Sequence, residues 1–159
     1  MPDPANDATS KVEDAIKAKL LAYPALAGWT IIIDEHDDIA LEDDDFNALV
    51  IETIGTSYDP AFENGSQNLH TQIVDIEAVV KEAGVIRPRR AREGLAHANA
   101  AIMADETFGG MLQDITAVDV AKDAAEIRDH AAVSIQFSIL FFTSRTDLTT
   151  IIGLGGAEF

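Results

Sequence analysis

The most regular pattern in the chain is the run Ala131 to Thr143, AAVSIQFSILFFT. Val133, Ile135, Phe137, Ile139 and Phe141 alternate with Ser134, Gln136, Ser138, Leu140 and Phe142, which is the two-residue period of a strand. One face is apolar throughout and the other begins polar, so the run predicts a central strand with helices over its apolar side. At its far end Leu140 and Phe142 carry apolar groups to the second face as well. That end is therefore expected to be covered, either by another part of the chain or by another subunit.

The preceding sequence supplies the partners. Met1 to Thr9 offer too few apolar groups to offset the entropy of ordering them and are expected as a loose tail. Ser10 and Glu13 have capping-box spacing, and Val12, Ile16 and Leu20, with Ala15 beside them, form the apolar stripe of a first helix that Pro24 closes. Trp29 to Ile33 reads as a short strand, Phe46 to Thr56 as a second and Leu69 to Val80 as a third. The last two form a long hairpin across the polar stretch Ser57 to Asn68. Small side chains in Leu95 to Ala104 predict a second helix that begins between Pro88 and Glu93 and lies close against a sheet. Ile115 to Val120 is a fourth strand, and Ala121 to Asp129 is a connection or hairpin tip leading into the central strand. Leu148 to Leu154 is a short apolar segment, and the glycines that follow read as a flexible tail.

This order predicts an α+β fold: a mixed, mainly antiparallel sheet of about four to five strands with two main helices packed on one face. Residues 10–152 form one domain in this reading, between flexible tails at 1–9 and 153–159.

Composition narrows the function. A length of 159 residues with 47% hydrophobic side chains suffices for one sizeable core. The absence of cysteine excludes structural disulfides and thiolate metal sites and suits a reducing cytoplasm. The first residues lack the charged and apolar regions of a signal peptide, and no apolar run is long enough to cross a bilayer, so a soluble protein without a membrane partner is expected. The net charge of −17, from 28 acids against 11 bases, repels phosphate backbones and makes sequence-specific nucleic-acid binding an unexpected role. The charge is also unevenly spread. Asp34, Glu35, Asp37, Asp38, Glu42, Asp43, Asp44 and Asp45 crowd one loop, while Arg87, Arg89, Arg90 and Arg92 are four of the six arginines. Two opposite clusters on one chain make a docking pair, within a subunit or between identical subunits.

Motifs of bond chemistry are lacking. Asp34, His36, Asp38 and Asp45 fall at ligand positions of a calcium-loop frame, but Ile39 stands where the turn requires glycine and the last ligand is the short Asp45, so a solvated acidic loop is the better reading. His70 has no second His or Cys at ligand spacing and reads as a packed or surface histidine. No G-x-S-x-G elbow, H-E-x-x-H pair, Walker loop or cysteine nucleophile occurs, and no enzyme activity, cofactor or metal is expected. Gly109 and Gly110 permit a tight turn after Asp105-Glu106-Thr107-Phe108 and are no phosphate cradle.

The second helix leading into Asp-Glu-Thr-Phe-Gly-Gly-Met-Leu at 105–112, and the late strand ending in Phe141-Phe142-Thr143-Ser144-Arg145-Thr146-Asp147, resemble the tail terminator, or tail-completion, proteins of long-tailed bacteriophages and prophage-like elements. Phe108 stands where that family often has leucine, and the acidic loop has no counterpart in it. The resemblance implies a small α+β subunit that closes into a ring, usually a hexamer, on the completed tail tube. Such a ring stops further addition of tube protein and offers a surface to the head-side connector. Its partners would be copies of itself, the tube protein and the connector. Its place would be the head-proximal end of the virion tail, assembled in the bacterial host cytoplasm. The expected subunit or tube interface comprises Arg87, Arg89, Arg90, Arg92, Asp43, Asp44, Asp45, Phe142 and Arg145, with Gly109 and Gly110 as a structural turn. Another head–tail joining or minor tail protein is the alternative, and a small acidic enzyme a more distant one.

Overall fold

The computed structural model describes residues 7–33, 45–60, 67–119, 123–127 and 130–159. The first helix, α1 (Ala8–Ala22), begins one turn earlier than the capping-box spacing suggests. Its cap is Asp7, whose carboxylate accepts from the Ser10 amide at 2.7 Å, so Ser10 lies inside the first turn. Glu13, freed from a capping role, is buried and accepts a hydrogen bond from Thr53 Oγ1 at 3.1 Å. The stripe behaves as expected: Val12, Ile16 and Leu20 are fully buried. Pro24 stops the helix and opens a short 3-10 turn.

The remaining elements are β1 (Thr30–Ile33), β2 (Phe46–Pro60), β3 (Gln67–Glu82), β4 (Val85–Ile86), α2 (Pro88–Met103), β5 (Asp114–Asp119), β6 (Asp123–Ile127), β7 (His130–Ser144) and β8 (Ile151–Ile152). The main sheet order is β1-β2-β3-β7-β5, with β1 parallel to β2 and every other pairing antiparallel. The fold is α+β. The hairpin of β2 and β3 reaches beyond its expected bounds, with Phe46 opposite Lys81 at one end and Pro60 opposite Asn68 at the other. β7 is the central strand. It pairs with β3 from Ala132 to Ser144, and its other edge is filled in turn by β6, β5 and β8. Residues 123–127, read from the sequence as part of a connection or hairpin tip, thus pair as a strand. Pairing with β7 supplies the order that their local composition does not.

Both helices lie on one sheet face. Val12, Ile16 and Leu20 of α1, with Ala91, Leu95, Ala98 and Ile102 of α2, share one core with Leu49, Ile51, Val74, Ile76, Val80, Val133, Phe137, Ile139 and Phe141. Phe137 and Phe141 are fully buried, and burial of a side chain this large contributes about 2–3 kcal/mol relative to exposure. Small residues on α2 let the helix approach closely. Gly94 in particular lies against the ring of Trp29, where a Cβ would overlap the indole carbons.

A bulge between Thr53 and Gly55 shifts the parity of β2 and turns Ile54 out to solvent. Beside it, Thr53 Oγ1 accepts from Gln72 Nε2 at 2.9 Å, and Gln72 Nε2 also donates to the Thr9 carbonyl at 3.3 Å. With the bond to Glu13, these contacts tie the first turn of α1 to both strands of the hairpin. The face away from the helices carries a second, small apolar cluster of Ile32, Ala48 and Val50 with Phe46 packed against it. The acidic run at 34–44, including Asp43 and Asp44, lies outside the described residues.

Candidate interaction surface

Arg87, Arg89, Arg90 and Arg92 stand at the start of α2, Arg87 as its N-cap residue, and all four are exposed. Pro88 at the first helical position needs no amide partner, and the Arg87 amide donates to Val80 O at 3.1 Å, which fixes this end against β3. Among the described residues, Glu82 of β3 is one acid that faces the cluster. Its carboxylate lies 3.7 Å from Arg87 Nε and 3.3 Å from Arg90 Nε, and Arg90 also reaches Glu93 at 4.0 Å. These pairs are half-exposed, where each is worth only about 0–1 kcal/mol. Arg89 has no ion pair among the described residues. Val85, half-exposed on the short strand before the helix, puts an apolar group beside the arginines.

Asp45 has a local task. Its Oδ1 accepts from the Ala83 amide at 2.7 Å, holding the turn between β3 and β4, where Ala83 has φ of 49° and Gly84 of 74°. Arg145 is exposed just past the end of β7. Phe142 is half-buried on the face away from the helices, opposite Leu69 of β3 on one side and Ile152 of β8 on the other.

The glycine turn before β5 is built around Asp105. Its carboxylate accepts from the Gly109 amide at 2.6 Å, the Thr107 amide at 3.1 Å and the Thr107 hydroxyl at 3.0 Å, while Lys19 lies 3.5 Å away. The Gly109 bond, then those from Thr107, hold the carboxyl below the usual aspartate range. Phe108, Gly109 and Gly110 all have positive φ, at 49°, 69° and 93°, which the two glycines accept without a steric penalty. The turn drops Phe108 and Met111 into the core and delivers Gln113 to β7, where its amide donates to Leu140 O at 2.8 Å.

Residues 153–159, expected as a flexible tail, fold back onto this turn. The Leu154 amide donates to Gly110 O at 2.7 Å, Ile151 and Phe159 exchange backbone bonds at 3.2 and 3.0 Å, and Lys11 Nζ donates to the carbonyls of Thr149 and Phe159 at 2.6 and 3.1 Å. Gly153 serves a close approach, and Gly155 and Gly156 supply positive φ of 71° and 82°. Before it, Asp147 accepts from Thr149 and Thr150, and these bonds, the Thr149 hydroxyl first, draw its pKa down to about 2.

His70 is a packed histidine, stacked between Tyr58 and Phe141 with ring centroids 5.3 and 5.0 Å away, and its Nε2 lies 2.7 Å from Thr143 Oγ1. Partial burial lowers its pKa. Among the described residues, no group of three or more His, Cys, Asp or Glu is arranged to hold a metal ion, and no helix is long and apolar enough to cross a membrane.

The feature that the sequence reading missed lies on the face without helices. Register puts Glu52 opposite Asp75 and Asp75 opposite Gln136, with Glu77 opposite Ser134 in a neighbouring row. Asp75 is pushed up to about 6, first by burial, with Glu77 and Glu52 adding repulsion against the hydrogen bonds of Ser134 and Gln136. Its Oδ1 is buried with no hydrogen-bond partner among the described residues. Toward the bulge-side end of the hairpin the same face becomes apolar, with half-buried Leu69, Ile73, Leu140 and Phe142. The signal was present in the alternation of Leu69 to Val80, where Asp75 and Glu77 share parity with Leu69 and Ile73.

No protein-family model matches the sequence, and a comparison with curated proteins returned no match.

Proposed function

We propose that this chain is a structural subunit that assembles with copies of itself into a ring, a hexamer, at the head-proximal end of a phage tail. The ring caps the completed tail tube, stops addition of tube protein and offers its outer surface to the head-side connector. Its action is steric and interfacial, with no bond made or broken, and it is assembled in the host cytoplasm.

The observation that carries this reading is the contact between the two segments on which the family resemblance rests. The turn at 105–112 runs directly into β5 alongside β7, Asp114 opposite Leu140, so the turn and the aromatic end of the late strand form one continuous region of the fold. The one-sided helix layer adds to it, because a sheet covered on one face retains a second for assembly. The large negative charge keeps free subunits apart, so association requires local complementarity.

The test is to add the purified protein to a polymerising tail-tube protein from the same phage or prophage and to measure tube lengths by electron microscopy. Short tubes with a ring at one end are expected. Tube lengths unchanged by a stoichiometric excess would contradict the reading.

A further inference from the structure

We propose that the outer edge of β2, over Gly55 to Asp59, takes an extended segment of a different polypeptide as an added strand. That segment carries an aromatic residue facing Tyr58 and, next to it in sequence, a lysine or arginine facing Asp59. The inference is independent of the capping role above and goes beyond it.

The edge is open because β1 is short. β2 runs from Phe46 to Pro60, but β1 pairs only with Ala48 to Ile51, so beyond that point the described neighbour of β2 in the sheet is β3 alone. Exposure follows the pairing. Leu49, Val50 and Ile51 are buried, whereas Ile54 through Asp59 are all exposed. In an antiparallel ladder every second residue turns its N–H and C=O away from the partner strand, and such groups template another strand where nothing covers them. Among the described residues, no backbone bond reaches Gly55 to Asp59 from any segment but β3. The bulge between Thr53 and Gly55, and Pro60 with no amide to donate, bracket this unbroken stretch of register and so set the length of segment that it admits.

Two cross-strand rows end at this edge and define what the incoming segment carries. On one face Phe141, His70 and Tyr58 stack in turn, with neighbouring ring centroids 5.0 and 5.3 Å apart, from fully buried Phe141 to Tyr58 at 59% exposure. The row stops at Tyr58 because the sheet stops there, and an aromatic residue on an added strand extends it at ordinary cross-strand spacing. On the other face Phe142, Leu69 and Asp59 are in register, so that row ends in an exposed carboxylate with no ion pair among the described residues. A lysine or arginine facing it supplies the opposite charge, and the net charge of −17 adds a general attraction for a basic partner. Tyr58 and Asp59 are successive residues on opposite faces, so the two side chains that recognise them are successive as well. Backbone bonds give the adhesion, and these two positions select the sequence.

The test uses the full chain and a short fluorescein-labelled peptide of threonines with a central phenylalanine-arginine pair. Fluorescence anisotropy gives the affinity, and hydrogen exchange read by mass spectrometry gives the location. Binding is expected to slow exchange across residues 55–59 about tenfold or more. Methylating one alternate set of peptide amides keeps the charge and removes the ladder, and should weaken binding about tenfold or more, while methylating the other set does far less. Tyr58→Ala should weaken binding about three- to tenfold. Asp59→Lys should weaken it about threefold or more and reverse the preference, so that a peptide with glutamate in place of arginine binds better. Both positions are exposed, and circular dichroism checks that the variants fold. The proposal is overturned if protection falls elsewhere or nowhere, if both methylated peptides bind like the parent, or if Asp59→Lys still prefers arginine. It is also overturned if a second copy proves to occupy the edge, so that Tyr58→Ala breaks up assemblies of the chain itself. Tube lengths left unchanged while the peptide binds as described would instead contradict the capping role alone.

Discussion

The amide of Leu154 donates to the carbonyl of Gly110 at 2.7 Å, fastening the stretch after β8 to the turn before β5. Gly153 makes the approach possible, since a Cβ there would overlap the Gly110 carbonyl and the Phe159 ring. Gly153→Ala is therefore expected to cost about 1–3 kcal/mol, the usual penalty of overpacking against backbone that cannot move freely. In a chain of this length that lowers the melting temperature by about 2–4 °C per kcal/mol, readable by thermal denaturation. Leu154→Ala, which keeps the amide and removes an exposed side chain, should change little.

Trp29 and Gly94 give a second packing test with its own optical signal. The indole lies on α2 where Gly94 has no side chain, and it is the protein's single tryptophan. Gly94→Ala gains helix propensity of about 1 kcal/mol but must displace the ring, for a net loss of about 1–2 kcal/mol. Tryptophan emission should shift to longer wavelength in the folded variant, and an unshifted spectrum would show that the ring is not held there.

Asp75 sets a pH dependence of folding. Its folded pKa of about 6 exceeds the ordinary aspartate value of 3.8, so the folded state binds the proton more tightly than the unfolded chain. The stability this provides is fully present below pH about 4 and is lost as pH rises through about 6. Discounted for partial exposure, the change is about 1–2 kcal/mol. Asp75→Asn should flatten denaturant midpoints across that interval and make the monomer more stable at pH 7. A variant less stable than wild type at pH 7 would contradict this account of the site.

His70 shifts in the other direction. Its lowered folded pKa means that it contributes stability present above the unfolded value of 6.5 and lost as pH falls through the folded one. An NMR titration should find its midpoint below 6.5, and Tyr58→Ala, which uncovers one ring face, should move that midpoint back up.

The sequence disclosed the elements whose side chains repeat with a clear period. Val12, Ile16 and Leu20 marked α1, and the alternation from Val133 to Phe141 marked the central strand and its buried face. The features it concealed depend on contacts between distant segments. Residues 123–127 are a strand because β7 lies beside them, and no period in that short stretch reveals it. The glycines after Ile152 looked like a tail because their use, a close approach to Gly110, is visible only once both turns are in position. The cap of α1 is a local exception: Asp7 offers capping chemistry three residues before Ser10, and its carboxylate accepts from the Ser10 amide. The acidic band was hidden for a related reason. Glu52 lies on a different strand from Asp75 and Glu77, and its register with them depends on a hairpin whose bulge cannot be seen from β2 alone.

The most direct measurement of the central claim is the mass of the assembled wild-type protein, taken by native mass spectrometry near pH 7.5, where the Asp75 carboxylate is ionised. A closed ring of subunits is predicted, with six as the dominant count and few intermediates, because head-to-tail contacts leave an open end until the circle is complete. A monomer at every concentration, or a symmetric dimer that grows no further, would contradict it.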